Sequence, residues 1–389
     1  GALRVAAFGV GTKFLGQALV AADARGERVR DSHAEVLARR GLQRFLHAQA
    51  RLALASDDNV SIFQRISRVG GAPLRLREGV HLHFYSSSVP CGNASIKRWA
   101  HPKRPRRRDL PASQYPTDPH PRFHVMQPEQ GQVAPLVKLE RPRAAVDVPS
   151  FLPIVVAPGT APVGRGFGAT LTCSDKLAVY NALGVQGCLL SCFFDPVYIR
   201  TFTVGRKFSE KTCQRGLCCR IAGFAFGEYS VNHPSMLQTS VKFDRGVVKA
   251  TAKGDGACFR EPRCVSWWRK ACDIVHGCGD DGLDAHEAAR VPGFISIVDG
   301  TTGLRPSSFG SGSSAICRAS LLDDFRQTLR AWRPHVLSEF AQTLSAAEAK
   351  RRVGQLGFTR YTEAKRVLLW KWFPNWAEAK GVGRLAADT

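Results

Sequence analysis

Hydrophobic and polar positions change period several times along the chain, and each change marks an element. Residues 3–10 are β-branched, aromatic or small, which predicts a strand running into a loop at Gly11, Thr12 and Lys13. Leu37, Ala38, Leu42, Phe45 and Leu52 recur at helical spacing, so residues 33–54 are predicted as a helix with Asp31 or Ser32 as N-cap. Alternation returns at residues 80–85, a second strand, and leads into Val89-Pro90-Cys91-Gly92, where proline marks a new helical turn. Ser174 or Asp175 is expected to cap a helix through Leu190; residues 197–204 and 294–298 read as strands. Two or three helices close the chain from Ala319 onward, and the alternation of strand and helix predicts an α/β fold.

Two stretches break the pattern. Thirteen prolines fall between Pro102 and Pro162, beside the basic run from Lys103 to Arg108, which predicts a disordered or mobile insertion over residues 97–168. A smaller polar insertion is expected over residues 268–292. With no internal repeat, the 389 residues are expected to form a single domain.

Charge narrows the partners. The 55 Lys and Arg exceed the 32 Asp and Glu by 23, while 44% hydrophobic residues suffice for a core, so this is a folded polycation and not a basic tail. RNA, DNA or an anionic membrane are the partners such a field attracts, and no run of about 18 apolar residues favours the membrane. No signal peptide is evident, and an intracellular protein of nucleus or cytoplasm is expected; Gly1 in place of Met leaves room for preceding sequence. Lys103 to Arg108 suits a nuclear localisation signal, an RNA arm or a solvated insertion.

Twelve cysteines in such a chain are thiols or metal ligands before they are disulfides. Cys188, Cys192, Cys213, Cys218, Cys219 and Cys317 sit in apolar or helical runs and read as small buried hydrophobes. Cys258, Cys264, Cys272 and Cys278 lack the short C-x₂₋₄-C pairs of structural zinc sites. His33-Ala34-Glu35 and Pro90-Cys91-Gly92 carry more chemistry. With Cys173 they supply one imidazole and two thiolates, each at a predicted helix start, a three-ligand zinc set with one position open for water. Glu35 stands on the first turn beyond His33, where a carboxylate can move protons without binding the metal, as in zinc deaminases. Ala94 occupies the place of the second cysteine in the usual P-C-x-x-C, so the third ligand comes from elsewhere. The choice of Cys173 rests on its helix-start context and on a resemblance.

Gly9 to Lys13, Asp31 to Arg40, Pro90 to Ile96 and Cys173 to Lys176 together resemble the adenosine deaminase domain of RNA-editing enzymes. The likeness continues through Leu183 to Gly187, Asp195 to Tyr198 and Asp299 to Gly303, to Tyr361, Lys365 and Trp376. It implies a cytidine-deaminase-like three-layer α/β fold, a mixed central β-sheet flanked by helices, with a helical C-terminal extension. It implies zinc on His33, Cys91 and Cys173, Glu35 as proton shuttle while activated water attacks C6 of adenosine, and Thr12 and Lys13 at the target nucleotide. It also implies a buried inositol hexakisphosphate held by Arg39, Arg40, Lys176, Arg318, Tyr361, Lys365 and Trp376, although Arg30, Val179 and Tyr180 depart from the family's cage. Pro90-Cys91-Gly92-Asn93-Ala94-Ser95-Ile96 is nearer the branch that makes inosine in tRNA, 3′ of the anticodon, than the double-stranded RNA editors. The expected partner is therefore tRNA, with no protein partner inferable and a monomer allowed. An editor of double-stranded or messenger RNA is the rival enzyme; a catalytically idle, zinc-stabilised RNA-binding protein is the rival of another class.

Overall fold

A computed structural model describes residues 3–55, 61–67, 71–95, 136–138, 151–153, 170–241, 263–271, 293–340 and 345–373. Its strands are β1 Ala7–Val10, β2 Thr12–Phe14, β3 Asp31–His33, β4 Phe63–Arg65, β5 Leu74–Leu76, β6 Leu82–Ser88, β7 Leu136–Lys138, β8 Phe151–Pro153, β9 Thr170–Leu171, β10 Ile199–Arg206, β11 Ala225–Phe226, β12 Tyr229–Ser230, β13 Ser235–Gln238, β14 Arg263–Arg269 and β15 Gly293–Asp299. The α-helices are α1 Gln17–Ala22, α2 Ala34–Ala55, α3 Cys173–Leu183, α4 Glu210–Leu217, α5 Arg318–Trp332, α6 Ala346–Gln355 and α7 Tyr361–Trp372. The protein is mixed α/β.

β10 is central to a parallel sheet with β13 on one side and β6 on the other, while β1, β14 and β15 form an antiparallel sheet. Phe202 and Val204 of β10 pack with Leu177 of α3 and Leu217 of α4. Burying a phenylalanine such as Phe202 contributes roughly 1.5–3 kcal/mol. Helix α2 lies against the antiparallel sheet at backbone distance, and glycine makes this close approach. A Cβ at Gly9 would stand 2.4 Å from the Ala34 carbonyl oxygen and 2.5 Å from the Ala38 nitrogen. Gly41 answers from the helix side, 3.0 Å from the Trp267 carbonyl oxygen by the same construction.

Several local expectations change. Gly11-Thr12-Lys13 is not an open loop: Thr12 and Lys13 belong to β2, which pairs with β3. α3 is capped by Thr172, not by Ser174 or Asp175; Asp175 is the third position of a capping box with Thr172. That helix ends at Leu183, short of Leu190, because Gly184 turns out of it at φ 79°. Trp268 and Arg269 extend β14 rather than opening an insertion, and the rest of 268–292 beyond residue 271 lies outside the described residues. Lys103 to Arg108 and Trp376 lie outside them too, as does 97–168 apart from β7 and β8. No helix among the described residues is long and apolar enough to cross a membrane.

Gly9→Ala should force α2 away from β1 and destabilise the protein by about 1–3 kcal/mol. The measurement is the urea midpoint of unfolding; an unchanged midpoint would show that the helix and sheet are not locked at this distance.

Candidate active site

The site is assembled at helix starts. His33 closes β3 and immediately precedes α2, so the Ala34 N–H donates to the Gly11 carbonyl at 2.9 Å while the imidazole stands at the strand's end. Cys173 is the first residue of α3, and Cys91 precedes a short 3₁₀ turn, Asn93–Ser95. The donor atoms of His33, Cys91 and Cys173 lie within 4.8 Å of one another, with Cys173 buried and the other two half-buried. Two thiols and an imidazole so arranged fit a tetrahedral zinc with one place left over.

The two thiol segments are fastened to each other. The Cys173 N–H donates to Cys91 Sγ at 3.4 Å, the Ser174 hydroxyl donates to the Cys91 carbonyl at 2.8 Å, and the Ala94 N–H donates to Ser174 Oγ at 3.1 Å. Gly92 permits the tight return between them: its φ is +97°, and a Cβ there would meet Thr172 Oγ1 at 2.2 Å. Arginines clamp both segments from α4 and just beyond. Arg215 donates to the side-chain and backbone oxygens of Asn93 at 2.9 and 2.8 Å, and Arg220 pairs with buried Asp175 at 2.5 Å. Burial, then the charge of Arg220, brings the Arg215 guanidinium down to about 10.

Asp31 supports the imidazole. It is buried; its Oδ1 accepts from the His33 backbone N–H at 2.9 Å and from His33 Nδ1 at 2.7 Å, and its Oδ2 pairs with Lys176 Nζ. An ionised carboxylate only accepts, so the Nδ1 proton is fixed and Nε2 is the nitrogen left for a metal. In the sequence Asp31 reads only as a cap; D-x-H in an extended segment is the signal for this second role. Glu35 sits half-buried on the first turn of α2. Thr12 and Lys13 lie beside the site through the β2–β3 register, Thr12 opposite His33 and Lys13 opposite Ser32.

Residues 7–379 match the adenosine-deaminase (editase) domain. The chain belongs to this family. It is similar to the double-stranded RNA-specific adenosine deaminase of Mus musculus, at 30% identity over 291 residues, covering 72% of this chain and 21% of the relative. The double-stranded RNA-specific editase Adar of Drosophila melanogaster is 31% identical over 229 residues, 58% of this chain and 31% of that protein. The tRNA-specific adenosine deaminase 1 of Homo sapiens is 26% identical over 352 residues, 68% of each chain. The chain thus spans about a fifth of the length of the first of these relatives.

Behind the candidate centre, the editase domain gathers cations in its interior. Arg39 stacks on Tyr180 with its guanidinium carbon 4.3 Å from the ring centre, and its buried Nε has no hydrogen-bond partner among the described residues. Arg40 donates to the Ile316 carbonyl, and Arg30 is taken up by Asp23 at 3.0 Å. Lys365 and Arg318 are held below their ordinary values chiefly by burial, Arg318 at about 10. Lys350, absent from the sequence-based set, borders this group with open surface of its own, and desolvation by the surrounding atoms together with Arg318 and Lys365 pushes it down to about 7. Tyr361 is buried, and burial raises its phenol. No carboxylate lies within ion-pair reach of Lys350, Lys365 or Arg318 among the described residues. Cations brought together without counter-charges repel, and a polyanion among them fits what the side chains lack.

For Lys350 the folded value, about 7, lies below the ordinary 10.5, so the unfolded chain binds more protons between those values and stability rises with pH across that window. In protein refolded without polyanion, Lys350→Met should therefore raise the urea midpoint at pH 7, and the gain should shrink towards pH 10. Equal gains at both pH values would contradict a charge effect.

Proposed function

We propose that this protein deaminates adenosine to inosine in RNA, with zinc held by His33, Cys91 and Cys173. The convergence of these three donors beside Glu35, on a chain of the editase family, carries the reading. Bound zinc supplies a Lewis acid that brings the pKa of water to about 7. Asp31 keeps the His33 imidazole in the required tautomer, and the α3 N-terminus favours the thiolate form of Cys173 and, through its N–H, of Cys91. Glu35 takes a proton from the attacking water and passes it to N1 of adenine. The C6–O bond forms; Glu35 then takes the proton of the new C6 hydroxyl and hands it to N6, and the C6–N6 bond breaks to release ammonia and leave the C6 carbonyl of inosine. Thr12 and Lys13, beside the site on β2, contact the target nucleotide. A cytidine-deaminase-like layering is part of the same proposal, supported by α3 and α4 packing on the parallel sheet.

Greater identity to the double-stranded RNA-specific relatives favours duplex RNA as the substrate. A tRNA substrate keeps separate support from Pro90 to Ile96 and from the equal coverage of this chain and the tRNA-specific relative. The interior cations suit inositol hexakisphosphate, held by Arg39, Arg40, Lys176, Arg318, Tyr361 and Lys365, with Lys350 added to the set. Arg39, Arg318, Lys350 and Lys365 would supply the main countercharge, since Lys176 and Arg40 already have partners.

Incubation of zinc-replete protein with a duplex RNA and with unmodified tRNA, followed by sequencing for A-to-G changes, tests both parts. Inosine is expected, first in the duplex; inosine in tRNA alone would reverse the choice of RNA, and none in either would sink the enzyme reading. Glu35→Ala should lower the rate at least ~10²-fold while zinc content holds. Loss of the metal with the carboxylate would remove Glu35 from its role as proton carrier.

A further inference from the structure

The parallel strands β6 and β10 end on one rim of their sheet, and a thiol of the candidate metal centre follows directly from it. Ser88 pairs with Arg206 at the last position of the register, and the Val89 N–H donates to the Arg206 carbonyl at 3.0 Å, two residues before Cys91. In open α/β sheets the space outside the carboxyl ends of parallel strands is where ligands bind. At this rim β10 turns into α4 within residues 207–209. Phe208 fixes the turn by packing, with Val89, on the core cluster that contains Ala94, Leu177 and Leu217.

Lys207 sits in this turn against its own backbone preference. Its φ is +59°, and among the described residues no other non-glycine residue is left-handed. That conformation crowds Cβ against the following carbonyl, so glycine or asparagine suits it better. Lys211 goes against local physics as well. It stands on the first turn of α4, where the helix dipole repels a cation. Lys207 and Lys211 are exposed and Arg206 is half-buried, and none of the three joins an ion pair among the described residues. Glu210, the acid beside them in sequence, accepts instead from Gln214 at 3.1 Å. Cations kept where backbone and helix both disfavour them, without a counter-charge, point to a partner outside the chain.

We propose that Arg206, Lys207 and Lys211 form a phosphate-binding site for the RNA strand that carries the target adenosine. The site rests on the RNA-deaminase reading and extends it from the reacting base to the backbone around it. It is separate from Thr12 and Lys13, which lie on β2. Phosphodiester groups are the ligand that matches: two ammonium groups and a guanidinium supply charge and donors at an open rim, and contacts of this kind position a strand without reading its sequence. The turn gives Lys207 a fixed starting point, because the Val89 bond holds the residue before it and Phe208 anchors the residue after it. A strand held here is also held beside Cys91, so binding at the rim sets the distance from backbone to metal centre.

Lys207→Gly and Lys207→Asn both suit a left-handed backbone and both remove the charge, so they separate the contact from the fold. Binding of a labelled RNA duplex and of unmodified tRNA is followed by fluorescence anisotropy over a series of KCl concentrations, using the full zinc-replete chain. On whichever RNA the wild type binds, each variant should bind about 10-fold more weakly at physiological salt. The slope of log Kd against log [KCl] should fall by about one, as for one lost phosphate contact. The urea midpoint of Lys207→Gly should rise above that of the wild type, and Lys207→Arg should keep affinity and slope. Wild-type affinity and slope in the Gly and Asn variants would overturn the site. So would weaker binding with an unchanged slope, since losing a phosphate contact must change it. A wild type that binds neither RNA would overturn the RNA-deaminase reading, and the site with it.

Discussion

A carboxylate cannot be buried alone, and at Asp31 this constraint joins the candidate metal centre to the cationic interior. Its two oxygens face different parts of the fold: one takes the backbone and ring N–H groups of His33, the other takes Lys176 from α3. Leaving any of these donors out would strand charge where water cannot repair it, at a cost of several kcal/mol. The β3 strand and α3 are therefore held in one relation, and with them the imidazole and the Cys173 thiol. The close packing of α2 on β1 and β14, permitted by Gly9 and Gly41, fixes the same histidine from the other direction.

The thiol pair depends on a second set of obligations. Cys91 and Cys173 are 82 residues apart in sequence, and Ser174 links their segments by bonding across both. Arg215 and Arg220 complete this layer by reaching Asn93 and Asp175 from behind. Such an arrangement backs the thiol segments from α3, from α4 and from the turn just after it. A loop-borne site without this backing would relax as the metal exchanged.

Periodicity locates the main strands and helices to within a few residues because their apolar faces are real faces of the core: Leu37 and Phe45 on α2, Phe202 on β10, Val298 on β15 are all buried. It fails where a single backbone torsion decides the outcome, as at Gly184, and where neighbouring polar residues compete for one cap, as Thr172 does with Ser174. Residue chemistry at helix starts nominates His33 and Cys91, Cys173 needs the resemblance as well, and the structure brings their donors together. Nothing in the sequence could show that Lys350 stands beside other cations. In Ala-Glu-Ala-Lys-Arg-Arg, the pattern is that of a solvated helix face, and only the placement of α6 beside Arg318 and Lys365 draws its lysine into a cationic cluster. Cys219, expected to be a buried hydrophobe, is exposed for the same reason: the course of the chain past a helix end is set by tertiary turns and not by the run of apolar neighbours.

The excess of 23 positive charges consequently divides into two populations with different physics. Charges on the surface are screened within about 8–10 Å in physiological salt and act on an external polyanion as a field. Those around Arg39, Arg318 and Lys365 are screened less and act on one another, so they cost stability unless an anion joins them. A polyphosphate in that position would turn a destabilising cluster into the strongest electrostatic tie in the fold. The charge that faces an external polyanion and the charge that organises the centre are then separable. Neutralising surface arginines would weaken substrate encounter with little effect on the centre, whereas neutralising an interior one alters the scaffold on which the centre is built.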